Sequence, residues 1–354
     1  MLQRYLMLWL VLSSGIAYFW PTILPGTFDP FLPGSLALTI AIFLVMFAVG
    51  SLLRVDEVRS VGRQWPEVLF GTAVQYGSMP LLAYVIGHAF GFDKVTLLGV
   101  IMVGCVPGAM ASNVLTLTSR GNVSYSVALT TLATMLSPIA VPLALWLTLD
   151  LKGDMKGQFE ISNVSKQLMI QVVLPVLLGF GLRRLSRTFE RLADRWGSVV
   201  ANLAILWIIA AVVGLNRQRL GAVLGFRDGG LMFSEMKLLT ALLLINILGY
   251  LAGYLAGRAR GLNDSMRRAL TLEVGMQNCG LGTTLILQLF PGEEYRAAAI
   301  PTAAYTFGCM FTATVLAYVW SRIPVRDQPQ PANDVIDSAS RIEKSPSQTA
   351  GRLP

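Results

Sequence analysis

The chain has 354 residues, of which 54% are hydrophobic and only 14% charged, and its formal net charge is +8. A soluble domain would hold about 25% charged residues, so this composition argues against a soluble globular protein. The cations lie in short segments between apolar runs, where they set membrane topology rather than bind nucleic acid.

Apolar runs near the length that crosses a bilayer recur along most of the sequence, which predicts an all-α polytopic membrane protein embedded in lipid. In chain order the expected spans are 3–21, 34–53, 66–90, 95–118, 124–149, 165–183, 197–216, 237–257, 267–290 and 297–321. The first follows Arg4 and has a short apolar core, as a signal peptide does. With a single cation there and hydrophobicity continuing to Trp20, it reads as a span. The third span carries Gln75 in mid-run. The fourth is interrupted at Pro107 and Gly108 and continues with Ser112 and Asn113. The fifth carries Ser126 and Thr130, four residues apart and so on one helical face. The ninth contains LEVGMQNCGLGTTL (272–285), with Glu273, Gln277, Asn278 and three glycines in one apolar run. After Arg322 the composition turns polar and rich in Pro and Ser, so 323–354 reads as a disordered cytoplasmic tail.

Placing the N-terminus inside puts most lysines and arginines on the cytoplasmic side, including Arg183, Arg184, Arg187, Arg191 and Arg195. Both termini are then cytoplasmic, in the plasma or inner membrane. The segment with Arg217, Arg219 and Arg227 is the exception on the outer side. Ten spans divide into five plus five, and an odd number per half inverts the second half. Two echoes agree with that division. GAMASN at Gly108 precedes GMQNCG at Gly275 by 167 residues, and Gln75 precedes Asn246 by 171.

Broken helices inside a membrane leave carbonyls unpaired on one side and amides on the other, and protein, water or ligand must satisfy them. Carbonyl ends suit a cation and amide ends an anion. Two such breaks at matching places point to a transporter's binding site. Glu273 is the one carboxylate inside an expected span away from its ends, and a lone buried carboxylate calls for a partner. One reading is snorkelling toward Arg268. The other is a bound cation among the carboxylate, amide, hydroxyl and carbonyl oxygens, all hard donors that suit Na⁺. A proton carried by Glu273 is the competitor. Cys105, Cys279 and Cys309 fall inside apolar segments without metal-like spacing and read as packing residues. His88 sits at the end of the third span, and no nucleophile–base pair is evident, so the chain does not read as an enzyme. The rival is an intramembrane enzyme using Glu273. No obligate protein partner is indicated.

At PGAMASNVLTLTSRGNVSYSVALTT (107–131), EVGMQNCGLGTTL (273–285) and Gln75, the chain resembles the bile acid:sodium symporter family over residues 1 to about 322. The resemblance implies ten transmembrane helices as two inverted five-helix repeats, in a transporter domain spanning 1–322. A panel of spans 1, 2, 6 and 7 would face a core of spans 3–5 and 8–10, in which broken helices four and nine cross. It implies two Na⁺ sites. One would use Ser112, Asn113, Ser126, Thr130 and Glu273. The other would use Gln75, Glu273, Gln277 and the carbonyls of Val274 and Met276. A small organic anion, bile-acid-like, pantothenate-like or keto-acid-like, would lie near the half-helix N-termini at Gly108, Ala109, Met110 and Asn278. Where relatives read PGGTASN, this chain has PGAMASN, so Ala109 and Met110 replace a glycine and a hydroxyl. An arsenite-exporting neighbour group resembles the chain less, because it places a cysteine after the proline where Gly108 stands here. The implied function is sodium-coupled symport by alternating access.

Overall fold

A computed structural model describes residues 6–54, 64–148, 161–218, 233–290 and 292–325. Among the described residues the regular structure is helical, and one isolated antiparallel bridge is the single extended pairing. The helices are α1 (Leu6–Ile23), α2 (Ser35–Leu52), α3 (Trp65–Ala89), α4 (Lys94–Cys105), α5 (Ala111–Thr118), α6 (Val123–Thr148) and α7 (Ile161–Leu168). They continue with α8 (Leu174–Leu185), α9 (Arg187–Leu215), α10 (Phe233–Ala259), α11 (Asp264–Gly275), α12 (Cys279–Leu289) and α13 (Ala299–Ser321). Six helical stretches are long and apolar enough to cross a membrane, and four shorter apolar helices accompany them. The chain is thus a multi-pass helical membrane protein.

Helix boundaries follow local chemistry. Asp93 starts α4 by accepting from the amides of Val95 and Thr96 (3.0 and 3.2 Å), and Asn263 starts α11 by accepting from Met266 (2.9 Å). Between α7 and α8 the helix passes through a π-helical turn, Met169–Val173. Pro175 follows and lacks the N–H that would close an ordinary turn. Helix α9 starts ten residues before the span expected at 197. Ser186 caps it through the Phe189 amide (3.2 Å), and its first turns carry arginines that hydropathy does not count as membrane.

Helix α2 packs on α8 and α9, with α1 against α9. The α2–α8 contact is close because Gly50 lies against Val176 and Gly179 against Phe47. A Cβ at either glycine would be 2.0 or 2.2 Å from the facing carbonyl oxygen. A second group forms where α3 meets α4, α6 and α10, and α10 meets α11. Buried Arg183 ties α8 to its neighbours through Ser51 O (3.0 Å) and Asp194 (2.7 Å). Arg217, just beyond α9, pairs with Asp29 in the α1–α2 connection (2.5 Å) and donates to Ala17 O (2.7 Å). One cation of the expected outer-side exception is therefore paired with an acid from the α1–α2 connection. Of the expected tail, residues 326–354 lie outside the described residues, as do Arg4, Arg219 and Arg227.

Candidate functional site

Helix α4 stops at Cys105 because Pro107 cannot donate to the preceding turn, and α5 resumes at Ala111. Helix α11 stops at Gly275 and α12 resumes at Cys279, capped by Asn278, whose Oδ1 accepts from Leu281 (3.2 Å). The two breaks repair each other. Ala109 N donates to Met276 O (2.9 Å) and Asn278 N to Pro107 O (2.8 Å), making an antiparallel bridge between Gly108 and Gln277. Backbone groups that hydrocarbon would leave unpaired thus find partners in the other half of the chain.

Glu273 lies one turn before the second break and is fully buried. Its hydrogen-bond donors are hydroxyls from the first half. Ser112 Oγ donates to Oε2 (2.6 Å), and Thr130 Oγ1 lies 2.8 Å from both carboxylate oxygens. Ser126 Oγ donates to Asn113 Oδ1 (2.7 Å), and Thr130 Oγ1 is 3.5 Å from the same atom. Ser112, Asn113, Ser126, Thr130 and Glu273 therefore form one connected oxygen cluster between α5, α6 and α11. Thr116 extends it toward Ser126 (3.2 Å). The i, i+4 spacing from Ser112 to Thr116 is the signal that could have marked it.

The members of the second predicted set lie around the second break and Gly108. Gln277 Nε2 donates to Val274 O (2.7 Å), while Met276 O accepts from Ala109. Gln75 and Gln277 are buried, and Gln75 Nε2 and Gln277 Oε1 have no hydrogen-bond partner. Gly108 stands between Gln75 and the carboxylate. A Cβ there would be 3.3 Å from Gln75 Nε2 and 2.1 Å from Glu273 Oε1. Because α11 ends at Gly275, Glu273 and Gln277 do not share a helical face, and Gln277 reaches back from the bridge. The unsatisfied Gln277 Oε1 and the buried carboxylate suit a hard cation such as Na⁺, whereas Gln75 Nε2 is a donor, so Gln75 would join such a site through its amide oxygen.

The four residues expected to meet substrate divide. Gly108, Ala109 and Asn278 belong to the bridge, so the amides of Ala109 and Asn278 are already engaged. Met110 lines a narrow cleft with Asn113, Thr130 and Thr134, faced by Val49 and Val176 from α2 and α8. Snorkelling of Glu273 toward Arg268 does not describe the geometry. Arg268 is itself buried, donates to Ser119 O (2.7 Å), Trp320 O (3.0 Å) and Ile323 O (3.1 Å), and stacks over Trp320. Cys105, the last residue of α4, lies 3.8 Å from Thr148 Oγ1 and contributes no contact to the Glu273 cluster. His88 sits against Tyr84 O (2.8 Å) in the last turn of α3. Behind the second break, sequence reasoning marked Asn246 only as the echo of Gln75 and missed Tyr250, Tyr305 and Thr312, because hydrogen bonds between distant helices leave no periodic mark.

A family model for the sodium bile acid symporter family matches residues 39–222. The chain is 29% identical over 315 residues to the uncharacterised sodium-dependent transporter YocS of Bacillus subtilis, covering 89% of this chain and 90% of that one. It is 29% identical over 301 residues to a probable chloroplastic sodium/metabolite cotransporter of Arabidopsis thaliana (84% and 69%). It is 27% identical over 261 residues to the hepatic sodium/bile acid cotransporter of Homo sapiens (73% and 72%).

Proposed function

The chain belongs to the sodium bile acid symporter family, and from that membership we propose that it couples the inward movement of Na⁺ to uptake of a small organic anion by alternating access. The observation that carries this reading is Glu273, a fully buried carboxylate caged by hydroxyls of the other half, together with the buried, unsatisfied amide oxygen of Gln277 at the same break. An acidic side chain at the centre of a span costs on the order of 3 kcal/mol, and a coupling cation offsets that cost when it binds. One Na⁺ site uses Ser112, Asn113, Ser126, Thr130 and Glu273. A second uses Gln75, Glu273, Gln277 and the carbonyls of Val274 and Met276. Glu273 shared between both sites makes their occupation cooperative.

Ten spans in two inverted five-helix repeats accommodate this scheme. The packing of α1, α2, α8 and α9 on one another supports a panel, and the packing of α3 with α4, α6 and α10 supports a core. The domain runs from residue 1 to 322, both termini are cytoplasmic, and the protein resides in the plasma or inner membrane. The anion would lie at the cleft beside Met110, between panel and core, near the first amides of α5. Two Na⁺ with one monoanion carry one net positive charge inward, and a potential of 100 mV adds about 2.3 kcal/mol to the drive. Sodium bound across both breaks stabilises one arrangement of the core, and the anion selects that arrangement.

Proteoliposomes test the scheme directly. Candidate anions are first screened by thermal shift with and without NaCl, because a ligand raises stability by mass action. Radiolabelled hits are then supplied with an inward Na⁺ gradient. Accumulation that collapses when Na⁺ is replaced by K⁺ is expected. Equal uptake in both salts would reject sodium coupling. Glu273→Gln should remove the Na⁺ dependence, whereas Ser119→Ala should keep it.

A further inference from the structure

Gly275 ends α11, so its carbonyl has lost its helical partner. It accepts instead from two side chains on two other helices, Asn246 Nδ2 of α10 (2.8 Å) and Tyr305 Oη of α13 (2.9 Å). Asn246 is held in one orientation, because its Oδ1 accepts from Thr312 Oγ1 (2.7 Å) and its Nδ2 also lies 3.3 Å from Tyr305 Oη. The ring of Tyr250 covers Gly275 so closely that a Cβ would be 2.1 Å from it, and its hydroxyl lies 3.1 Å from Thr312 Oγ1. Asn246 and Tyr305 are each only 1% exposed.

Three consecutive carbonyls at this break therefore serve four donors. Val274 O meets Gln277, Gly275 O meets Asn246 and Tyr305, and Met276 O meets Ala109. The middle carbonyl is drawn toward α10 and α13, and the outer two stay with the bridge residues Gln277 and Ala109. Asn246 stands to the second break as Gln75 stands to the first, 171 residues earlier in the chain. The two amides differ in state. Gln75 Nε2 is buried without a partner, whereas Asn246 has both ends engaged. Gln75 keeps a free donor at the first break, and its counterpart is spent on holding the backbone.

We propose that Asn246 and Tyr305 are positioning residues for the coupling cation: by holding the Gly275 carbonyl they fix the Val274–Met276 turn and with it the discrimination of Na⁺ from Li⁺. Neither residue ligates the ion. Selection among alkali cations depends on where the coordinating oxygens are held, and a turn released from its clamp relaxes to suit either radius. The proposal rests on the sodium reading of the Glu273 cluster.

The test uses the purified full chain in detergent, with thermal unfolding followed against NaCl and LiCl at constant ionic strength. Tyr305→Phe removes one donor and keeps the ring. Thr312→Val frees the Asn246 amide without touching Gly275. Each is expected to raise the Na⁺ midpoint by roughly 3–10-fold, the worth of one hydrogen bond, and to move the ratio of Na⁺ to Li⁺ midpoints toward one. Variants that lower ion-free stability but keep the wild-type Na⁺ midpoint and ratio would show a merely structural role and overturn the proposal. Glu273→Gln is the control. A wild-type protein with no Na⁺ response overturns the sodium reading, and this proposal with it. A wild-type response that both variants retain unchanged overturns this proposal alone.

Discussion

A methyl group on Gly108 would sit 2.1 Å from Glu273 Oε1, and the backbone cannot retreat because the neighbouring residues are pinned in the bridge. Gly108→Ala is therefore expected to abolish Na⁺-dependent thermal stabilisation while circular dichroism still reports a helical protein. Gly77→Ala, with no atom within 4 Å of the new carbon, is the silent control. Ser112→Ala and Thr130→Val each remove a hydroxyl that donates to Glu273. Each hydroxyl oxygen is also a proposed Na⁺ ligand, and losing one ligand worth about 1.5–3 kcal/mol should weaken Na⁺ binding by roughly 10–100-fold in the same titration. Glu273 and these hydroxyls were legible in the sequence because oxygen-bearing side chains inside apolar runs are costly and conspicuous. Tyr305 and Thr312 were not, since a hydroxyl on a membrane helix is commonplace until its partner on another helix is known.

Half-helices need their ends held, and Arg268 does this at one end of α5, α11 and α13. It donates to the carbonyls of Ser119 and Ile323 and adds a side-chain donor to Trp320 O, which also accepts from the Ile323 amide. Arg268→Gln should lower the ion-free unfolding midpoint, at a cost of about 2–4 kcal/mol from abandoned buried acceptors. Arg268→Lys should recover only part of that, because an ammonium lacks the planar fork. Equal midpoints for wild type and Arg268→Gln would show that the carbonyls find other partners. At this scale the sequence marks where helices break, through Pro107, Gly108 and Gly275, but not how far they run. The start of α9 hid behind arginines, and α11 ended before Gln277 because the turn at Gly275 is stabilised from α10 and α13, residues far away in the chain.

Across the whole molecule, the Asp29–Arg217 pair places the α1–α2 connection and the end of α9 on one side. Burial pushes the Asp29 carboxyl up, but the Arg217 guanidinium and the Phe31 amide bring it below its ordinary value of 3.8. A depressed carboxyl contributes stability that is full above the unfolded value and disappears as pH falls through the folded one. Wild type should thus lose more stability than Asp29→Asn on acidification below pH 3.8, as thermal unfolding at graded pH would report. Sidedness itself is open to thiol labelling, because Cys105, Cys279 and Cys309 are all buried and give little background. An impermeant maleimide should reach Gly26→Cys in intact cells and miss Arg322→Cys. The reverse pattern would invert the topology. The mutual repair of the two breaks also has a consequence for biosynthesis. Pro107 O and Ala109 N enter the membrane long before Met276 and Asn278 emerge from the ribosome, so the early half waits with polar backbone unmatched. A chain truncated ahead of α11 should be cleared by membrane proteases, and supplying the missing half as a separate polypeptide should rescue it.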